Sequence, residues 1–248
     1  MTDVVSTRAV VGVVLPSTNT IVEHDYSMMQ PSGVSFHYGR SYIIEKELDS
    51  DEAFDQLILD IEAGNANAIR DVMTCRPDYL TMGMSCETFW DGAAGNEKFE
   101  ANVREQAGVD AITTGATAVR SALELFSAKS LAFVSPYMPV GNRHVTKYFE
   151  DHGYEVTAQH ALECEGATAM SKVTERQLSQ AMLELDKTNP DVIVQVGTNL
   201  SGIRLADAAE RFLGKPVIAI NAACVWHTLR ALGINDQATG FGSLLREH

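Results

Sequence analysis

Short runs of β-branched and other apolar residues alternate along this chain with longer stretches of helical periodicity. Such alternation is typical of βαβ units, in which helices connect successive parallel strands. Strands of a parallel sheet are covered on both faces, so they appear as continuous apolar runs. The predicted strands are 9–15, 34–38, 79–82, 111–113, 130–134, 155–161, 191–196 and 217–220. The predicted helices are 51–73, 97–106, 116–126, 142–152, 174–188, 201–213 and 224–232.

The chain also repeats itself in outline. Pro77-Asp78 precedes a strand that ends at Met84-Ser85-Cys86, and Pro190-Asp191 precedes one that ends at Gly197-Thr198-Asn199. Two further pairs match in the same order: 110–113 with 218–221, and 15–17 with 134–136. The sequence therefore predicts an α/β fold of two pseudo-symmetric, Rossmann-like halves, each a mostly parallel sheet flanked by helices. Residues 1–115 with 222–248 are expected to form the first half, and 116–221 the second.

Ligands of open parallel sheets bind outside the carboxyl ends of the strands, so an active site is expected between the halves. The formal net charge of -14 disfavours nucleic acid and membrane surfaces as partners. It leaves room for a small anionic or dicarbonyl substrate, since local amide donors can hold an anion. No apolar run approaches the roughly 20 residues of a membrane span, so no membrane association is expected.

Cofactor motifs are missing from the sequence. It has no GxGxxG, Walker A or HExxH pattern, so no nucleotide, metal or other cofactor is expected. The four cysteines show no CxxC spacing, which predicts free thiols and a reducing, cytoplasmic compartment. The sequence leaves open whether the protein forms a homo-oligomer.

The loop after the first strand carries Ser17 and Asn19, whose polar groups are suited to binding a substrate carboxylate. The alternative is a helix cap, because Ser, Thr and Asn favour such positions.

Cys86 is the leading candidate nucleophile. It follows a buried strand at a predicted helix start, where the helix dipole would favour its thiolate. The alternative is a small buried apolar residue. Ser85 and Thr88 beside it are candidate substrate donors, and Glu87 is a candidate base.

Two further side chains are candidates for the same cleft. Tyr137 follows the fifth predicted strand and could donate a phenolic hydrogen bond, although a lone tyrosine usually serves packing. His227 lies in the last long predicted helix and is an acid/base candidate.

At these positions the sequence resembles the aspartate/glutamate racemase superfamily, and within it the maleate isomerases and arylmalonate decarboxylases. Residues 15–20 (LPSTNT) resemble the PSSNT loop of maleate isomerases, 134–137 (VSPY) resemble their active-site tyrosine loop, and 197–200 (GTNL) resemble their Cys-Thr-Asn-Leu segment. The resemblance covers nearly the whole chain. It implies a cofactor-independent enzyme with one active-site cysteine from each half.

This chain departs from that pattern at both cysteine positions. The resemblance places Met84 at the first and Gly197 at the second, where both are expected to contact the substrate, although neither side chain can transfer a proton or attack carbon. Cys86 lies two residues after the first position. An ordinary two-cysteine racemase is therefore disfavoured.

Four functions remain open from the sequence. The preferred one is a maleate isomerase-like reaction in which Cys86 adds to a double bond. The alternatives are a hydrolase that opens an amide or cyclic imide through Cys86, with Glu87 or His227 as base, an arylmalonate decarboxylase-like lyase, and a non-catalytic binder of small carboxylates. In each, the residues expected to hold the carboxylate or carbonyl oxygen are Asn19, Ser85, Tyr137, Thr198 and Asn199.

Overall fold

The computed structural model describes residues 3–47 and 50–248. These residues form two four-stranded sheets in which every strand pair is parallel. The first sheet has the order β2-β1-β3-β4, from strands β1 (Ala9–Pro16), β2 (Val34–Ser41), β3 (Tyr79–Met82) and β4 (Ile112–Thr113). The second has the order β6-β5-β7-β8, from β5 (Ser130–Ser135), β6 (Glu155–Ala161), β7 (Val192–Gln195) and β8 (Val217–Ala219). The predicted α/β fold with two similar halves is confirmed.

Helices connect the strands in both halves. They are α1 (Val22–Met29), α2 (Asp51–Met73), α3 (Cys86–Phe89), α4 (Gly92–Ala107), α5 (Gly115–Leu125), α6 (Pro139–Asp151), α7 (Glu175–Asp186), α8 (Ile203–Leu213), α9 (Ile220–Ala231) and α10 (Ser243–Glu247). A 3-10 turn covers Ala169–Lys172. None of the helices in the described part of the chain is long and apolar enough to cross a membrane.

Three helices begin at least three residues earlier than the sequence pattern predicted. α9 begins at Ile220 rather than at residue 224, so Ile220 belongs to this helix and not to the predicted strand 217–220. α4 begins at Gly92 rather than at residue 97, because Gly92 and Gly95 have low helix propensity and conceal the true start. α6 begins at Pro139 rather than at residue 142, since proline is well tolerated at the first helical position. The four-residue α3 was not predicted as a separate helix.

Burial explains why the strands read as apolar runs. The side chains of Val11, Val13 and Val14 in β1 are fully buried, because helices cover both faces of the sheet. Ser50 caps the start of the long helix α2, and its side chain accepts a hydrogen bond from the Ala53 amide. Such a cap contributes about 1 kcal/mol to helix stability.

Helix α9 follows β8 of the second sheet but packs against α1 and α5. Its Thr228 hydroxyl lies 2.7 Å from the hydroxyl of Thr81 in β3 of the first sheet. The predicted exact boundaries, 1–115 with 222–248 and 116–221, remain a prediction.

Candidate active site

A cavity lies where the carboxyl ends of the two sheets meet, and we call it the strand-end cavity. One side of it is polar and comes from loops of both halves: Thr18, Asn19, Ser85, Tyr137, Thr198 and Asn199. The apolar lining residues, which we call the apolar wall, are Ile43, Phe54, Leu57, Ile58, Ile61, Met84, Ala167 and Met170. Pro16, Cys86, Glu87 and Gly197 complete the lining. No Lys, Arg or His is among these described lining residues.

Hydrogen bonds between the halves fix the polar side of the cavity. The Asn19 amide donates to the Thr198 hydroxyl over 3.3 Å, and the Thr20 backbone N–H donates to the Asn199 side chain over 3.1 Å. The Thr198 backbone N–H donates to Ser85 Oγ over 3.2 Å. Each strand-end loop of one half is thus held by the other half, so the donors of the cavity are positioned before a ligand arrives.

Asn19 combines the two roles that the sequence had suggested as alternatives. Its Oδ1 accepts hydrogen bonds from the backbone N–H groups of Ile21 and Val22, at 2.9 and 3.0 Å, and so caps the first turn of α1. Its amide nitrogen is directed across the cavity to Thr198. The capping contacts therefore orient the group that lines the cavity.

Asn221 holds the Thr198 segment from behind. Its side-chain amide donates to the Thr198 carbonyl over 3.0 Å and to the carboxylate of Asp25 over 2.9 Å. Asp25 is fully buried, and this burial raises its pKa. The sequence interpretation missed both residues, because they lie inside helices and match no motif.

Ser85 and Tyr137 form a hydroxyl pair in the cavity, with their oxygens 2.5 Å apart. The Tyr137 ring packs edge-on against Phe54 at 5.8 Å between centroids. Burial, followed by the nearby Cys86, raises the pKa of Tyr137 well above its usual range. Tyr137 therefore stays protonated at neutral pH and serves as a hydrogen-bond donor.

Cys86 lies in the cavity wall as the first residue of α3, and 7% of it is exposed. Burial raises the pKa of its thiol well above its ordinary value, and the acidic neighbours Glu87 and Asp55 raise it further. The expectation that the helix dipole favours the thiolate is therefore wrong. A four-residue helix supplies little dipole, and no cation of the cavity lining offsets the loss of water.

Among the described lining residues, Glu87 is the only Asp, Glu, Lys, Arg or His. Only 3% of it is exposed. Burial raises the pKa of its carboxyl group from 4.5 to about 7. A hydrogen bond from its own backbone N–H opposes the shift, whereas Glu62 on α2 adds to it. Glu87 therefore exchanges a proton near neutral pH.

Met84 and Gly197 occupy the two positions where the resemblance expected cysteines, and both line the cavity. Met84 is buried, with its sulfur 3.7 Å from the Asn65 side-chain nitrogen. Gly197 has φ +104°, and a Cβ there would lie 2.5 Å from Pro136 Cδ. This backbone therefore excludes a cysteine side chain at position 197 unless the Pro136 loop shifts.

Three of the predicted site residues do not line the cavity. Ser17 Oγ accepts from the Ile43 backbone N–H, and Thr88 donates to the Ser85 carbonyl, so both support loops around the cavity. His227 Nδ1 lies 2.8 Å from the hydroxyl of Thr113 in β4. It is placed there because its face of α9 packs against the first sheet. His227 is thus not positioned to act on a ligand in the cavity.

The part of the apolar wall that α2 contributes was missed by the sequence interpretation. Phe54, Leu57, Ile58 and Ile61 lie on one face of α2, and their spacing is that of any core-facing helix. No sequence signal distinguishes a wall that contacts a ligand from one that contacts other side chains. Among the described residues, no group of three or more His, Cys, Asp and Glu could hold a metal ion.

The two-half α/β fold, with hydroxyl, amide and thiol groups at facing strand ends, is the arrangement that the resemblance to the aspartate/glutamate racemase superfamily implied. The family model for arylmalonate decarboxylase matches residues 11–245, and the chain belongs to that family. The predicted resemblance is thereby confirmed.

Relatives of known activity match over almost the whole chain. Maleate isomerase of Nocardia farcinica is 23% identical over 243 residues, covering 96% of this chain and 95% of the relative. Maleate isomerase of Pseudomonas putida is 24% identical over 245 residues, covering 95% of this chain and 96% of the relative. The chain is therefore maleate isomerase-like along its length, and the predicted isomerase-like type of enzyme is confirmed.

Solved structures agree with this relationship. A cysteine-to-serine variant of the Nocardia farcinica maleate cis-trans isomerase, with a covalently bound succinylcysteine intermediate, superposes with a TM-score of 0.86 at 25% identity. The match covers 96% of this chain and 98% of that one. A crystal structure of arylmalonate decarboxylase superposes with a TM-score of 0.75 at 20% identity, covering 95% of this chain and 98% of that one.

Proposed function

We propose that this protein is a cofactor-independent, maleate isomerase-like enzyme that acts on a small carboxylate or dicarbonyl compound, with Cys86 as its nucleophile. The observation that carries the proposal is the coexistence, in one cavity, of a buried thiol and a set of neutral donors from both halves. The thiol supplies the attacking atom, and the donors supply the place for an anionic oxygen.

The donors are suited to a charge that develops during the reaction. Ser85 and Tyr137 share a short hydrogen bond, and the amide of Asn19 and the hydroxyl of Thr198 point into the same space. Donors that are already oriented lower the energy of a developing oxyanion or enediolate without reorganising. We assign the carboxylate or carbonyl oxygen of the substrate to these side chains and to Asn199.

In the proposed reaction the sulfur of Cys86, as the thiolate, forms a bond to one carbon of the substrate double bond. The π electron pair moves to the neighbouring carbon and is delocalised into the attached carboxylate. The former double bond is now a single bond and rotates. The electron pair then re-forms the double bond as the carbon–sulfur bond breaks, which releases the trans isomer and the thiolate.

The test is to assay maleate, an arylmalonate and a cyclic imide with the wild type and with Cys86→Ala. Removal of the nucleophile should lower turnover by at least about 100-fold. Cys164→Ala is the matched control, because Cys164 is also buried but does not line the cavity. A mass adduct on Cys86 in quenched reactions should accompany turnover. Full activity of Cys86→Ala would rule out the covalent mechanism.

The apolar wall favours a second candidate, an arylmalonate decarboxylase-like lyase. Phe54 and Leu57 offer a surface that fits an aryl substituent beside the carboxylate donors. Reactions in deuterated water separate the two candidates, because decarboxylation must place deuterium on the carbon that loses carbon dioxide. Turnover of the cyclic imide alone would instead identify a hydrolase. Lack of turnover of all three compounds would favour a non-catalytic binder.

We also propose a cytoplasmic location. Cys75, Cys86, Cys164 and Cys224 are all free thiols in the structure, which is usual for a reducing compartment. Cell fractionation with an antibody against the protein tests this proposal.

A further inference from the structure

The Cys86 mechanism needs a proton acceptor. The thiolate, not the thiol, is the nucleophile, and the apolar surroundings of Cys86 keep it protonated. In many thiol enzymes a histidine beside the cysteine removes this proton. Here the described lining of the strand-end cavity contains no histidine, and the predicted base His227 lies against Thr113 instead.

Few groups in the cavity can accept a proton at neutral pH. Tyr137 remains protonated because burial raises its pKa well above its usual range. The side chains of Asn19, Ser85, Thr198 and Asn199 do not titrate in this range. Glu87 alone remains among the described lining residues, and it is near enough to Cys86 for its charge to raise the pKa of the thiol.

The Glu87 carboxylate also has unusually few hydrogen-bond partners for a buried charged group. The residue is 97% buried, and in the described part of the chain its only hydrogen-bond donor is its own backbone N–H. Buried carboxylates that serve stability are normally paired with a cation or with several donors. A lone carboxylate in a cavity wall costs stability, which points to a role in chemistry.

We propose that Glu87 is the general base and acid that takes the proton of Cys86 and returns it. This inference rests on the proposed covalent function of Cys86. As the sulfur–carbon bond forms, the thiol proton passes to the Glu87 carboxylate and the π pair moves to the adjacent carbon. When the carbon–sulfur bond breaks and the double bond re-forms, the proton passes from Glu87 back to the sulfur. No proton is gained or lost over the cycle.

The surroundings tune Glu87 for this exchange. Its pKa of about 7 lies close to neutral pH, where a residue can both accept and donate a proton. The groups that act on it are Glu62 from α2, Cys86 from its own helix and Tyr137 from the loop before α6. Helices α4 and α5 contribute no side chain to the described cavity lining.

The test uses alkylation of Cys86 by iodoacetamide, a small neutral reagent, followed by quantification of the Cys86 peptide by mass spectrometry. This readout needs no substrate. In the wild type, the rate should rise with pH around the pKa of Glu87. In Glu87→Gln, the rise should move to the higher pH at which the unassisted thiol ionises, and turnover should fall by roughly 100-fold or more, as expected for loss of a general base.

Two variants separate proton transfer from a structural role. Glu87→Asp keeps the carboxyl group and should restore part of the pH-dependent alkylation that Glu87→Gln loses. Glu62→Gln removes an exposed charge that lies outside the cavity and raises the pKa of Glu87. In this variant the midpoint of the alkylation profile should therefore move to lower pH, while the maximal alkylation rate stays unchanged. Unfolding curves of each variant show whether a loss of alkylation or turnover comes from misfolding. If Glu87→Gln does not fold, wild type is compared with Glu87→Asp instead.

An unchanged alkylation profile in Glu87→Gln would overturn this inference, even where Cys86→Ala is inactive. Full activity of Cys86→Ala would instead overturn the covalent function on which the inference rests. The two failures are therefore distinguishable.

Discussion

At the scale of single residues, the backbone at Gly197 has no room for the second cysteine that the resemblance implied. Its φ of +104° is a conformation that L-residues rarely adopt, and an added Cβ would lie 2.5 Å from Cδ and 2.7 Å from Cγ of Pro136. Pro136 directly precedes Tyr137, so the glycine and the proline together set the position of the Tyr137 hydroxyl in the strand-end cavity. Introducing a cysteine at position 197 would thus disturb the Tyr137 loop rather than restore a proton donor.

We expect Gly197→Ala to lower the free energy of unfolding more than Gly240→Ala, as measured by urea denaturation. Gly240 also has a positive φ, +88°, but nothing lies within 4 Å of an added Cβ. The control should therefore cost only the backbone strain of about 1–3 kcal/mol. Gly197→Ala should cost about 1–3 kcal/mol more for the forced contact with Pro136. Equal decreases in the free energy of unfolding in the two variants would show that Pro136 moves aside without a measurable cost.

At the scale of structural elements, two segments close the strand-end cavity from opposite halves. The segment after β2 contributes Ile43 to the lining, and the segment after β6 contributes Ala167 and Met170. Glu45 links the two, since its Oε1 accepts from the backbone N–H and the hydroxyl of Thr168, at 3.0 and 2.9 Å.

We expect Glu45→Ala to speed the alkylation of Cys86 by iodoacetamide. Loss of these hydrogen bonds should lower the free energy needed to open the cavity by about 1 kcal/mol. This corresponds to an increase in the alkylation rate of roughly fivefold. Glu47→Ala is the matched control, because it removes an exposed charge of the same kind two residues away. The same acceleration in both variants would mean that charge, and not the contact with Thr168, governs access to the cavity.

The elements also show which features a sequence can reveal. All eight strands were predicted. The inner strands β1, β5 and β7 are largely apolar runs because both faces of each sheet are covered there, whereas β6 is a partly exposed edge strand of mixed sequence. The strand-end loops that carry Asn19, Ser85, Cys86 and Thr198 were predicted from the internal repeat and the resemblance. The α2 wall was not predicted, because contact with a ligand and contact with the core leave the same periodicity.

The pKa shifts of the site residues could not be predicted from the sequence either. A helix start after Cys86 suggested a stabilised thiolate, but the pKa of a thiol depends on water and charges in three dimensions. In the folded chain, Cys86 is buried next to Glu87 with no cation in the described cavity lining. The same burial raises the pKa of Glu87, so a residue that was a secondary candidate by sequence becomes the proposed base.

At the scale of the whole molecule, the net charge of -14 opposes the approach of an anionic ligand. The cavity offers neutral donors rather than cations, so no positive charge in its described lining offsets the negative electrostatic field of the protein. Salt screens exposed charges, with a Debye length of about 30 Å at 0.01 M and about 8 Å at 0.15 M. The field at the cavity should therefore weaken strongly over this range of ionic strength.

We expect maleate to bind more tightly, by a few-fold, when sodium chloride is raised from about 0.01 M to about 0.15 M, because screening reduces the repulsion of a dianion. Calorimetric titration of Cys86→Ala measures binding without turnover. A neutral cyclic imide is the control, and its affinity should not change, because the field of the protein does not act on a net charge of zero. Weaker maleate binding at higher salt would show that local attraction in the cavity outweighs the charge of the molecule as a whole.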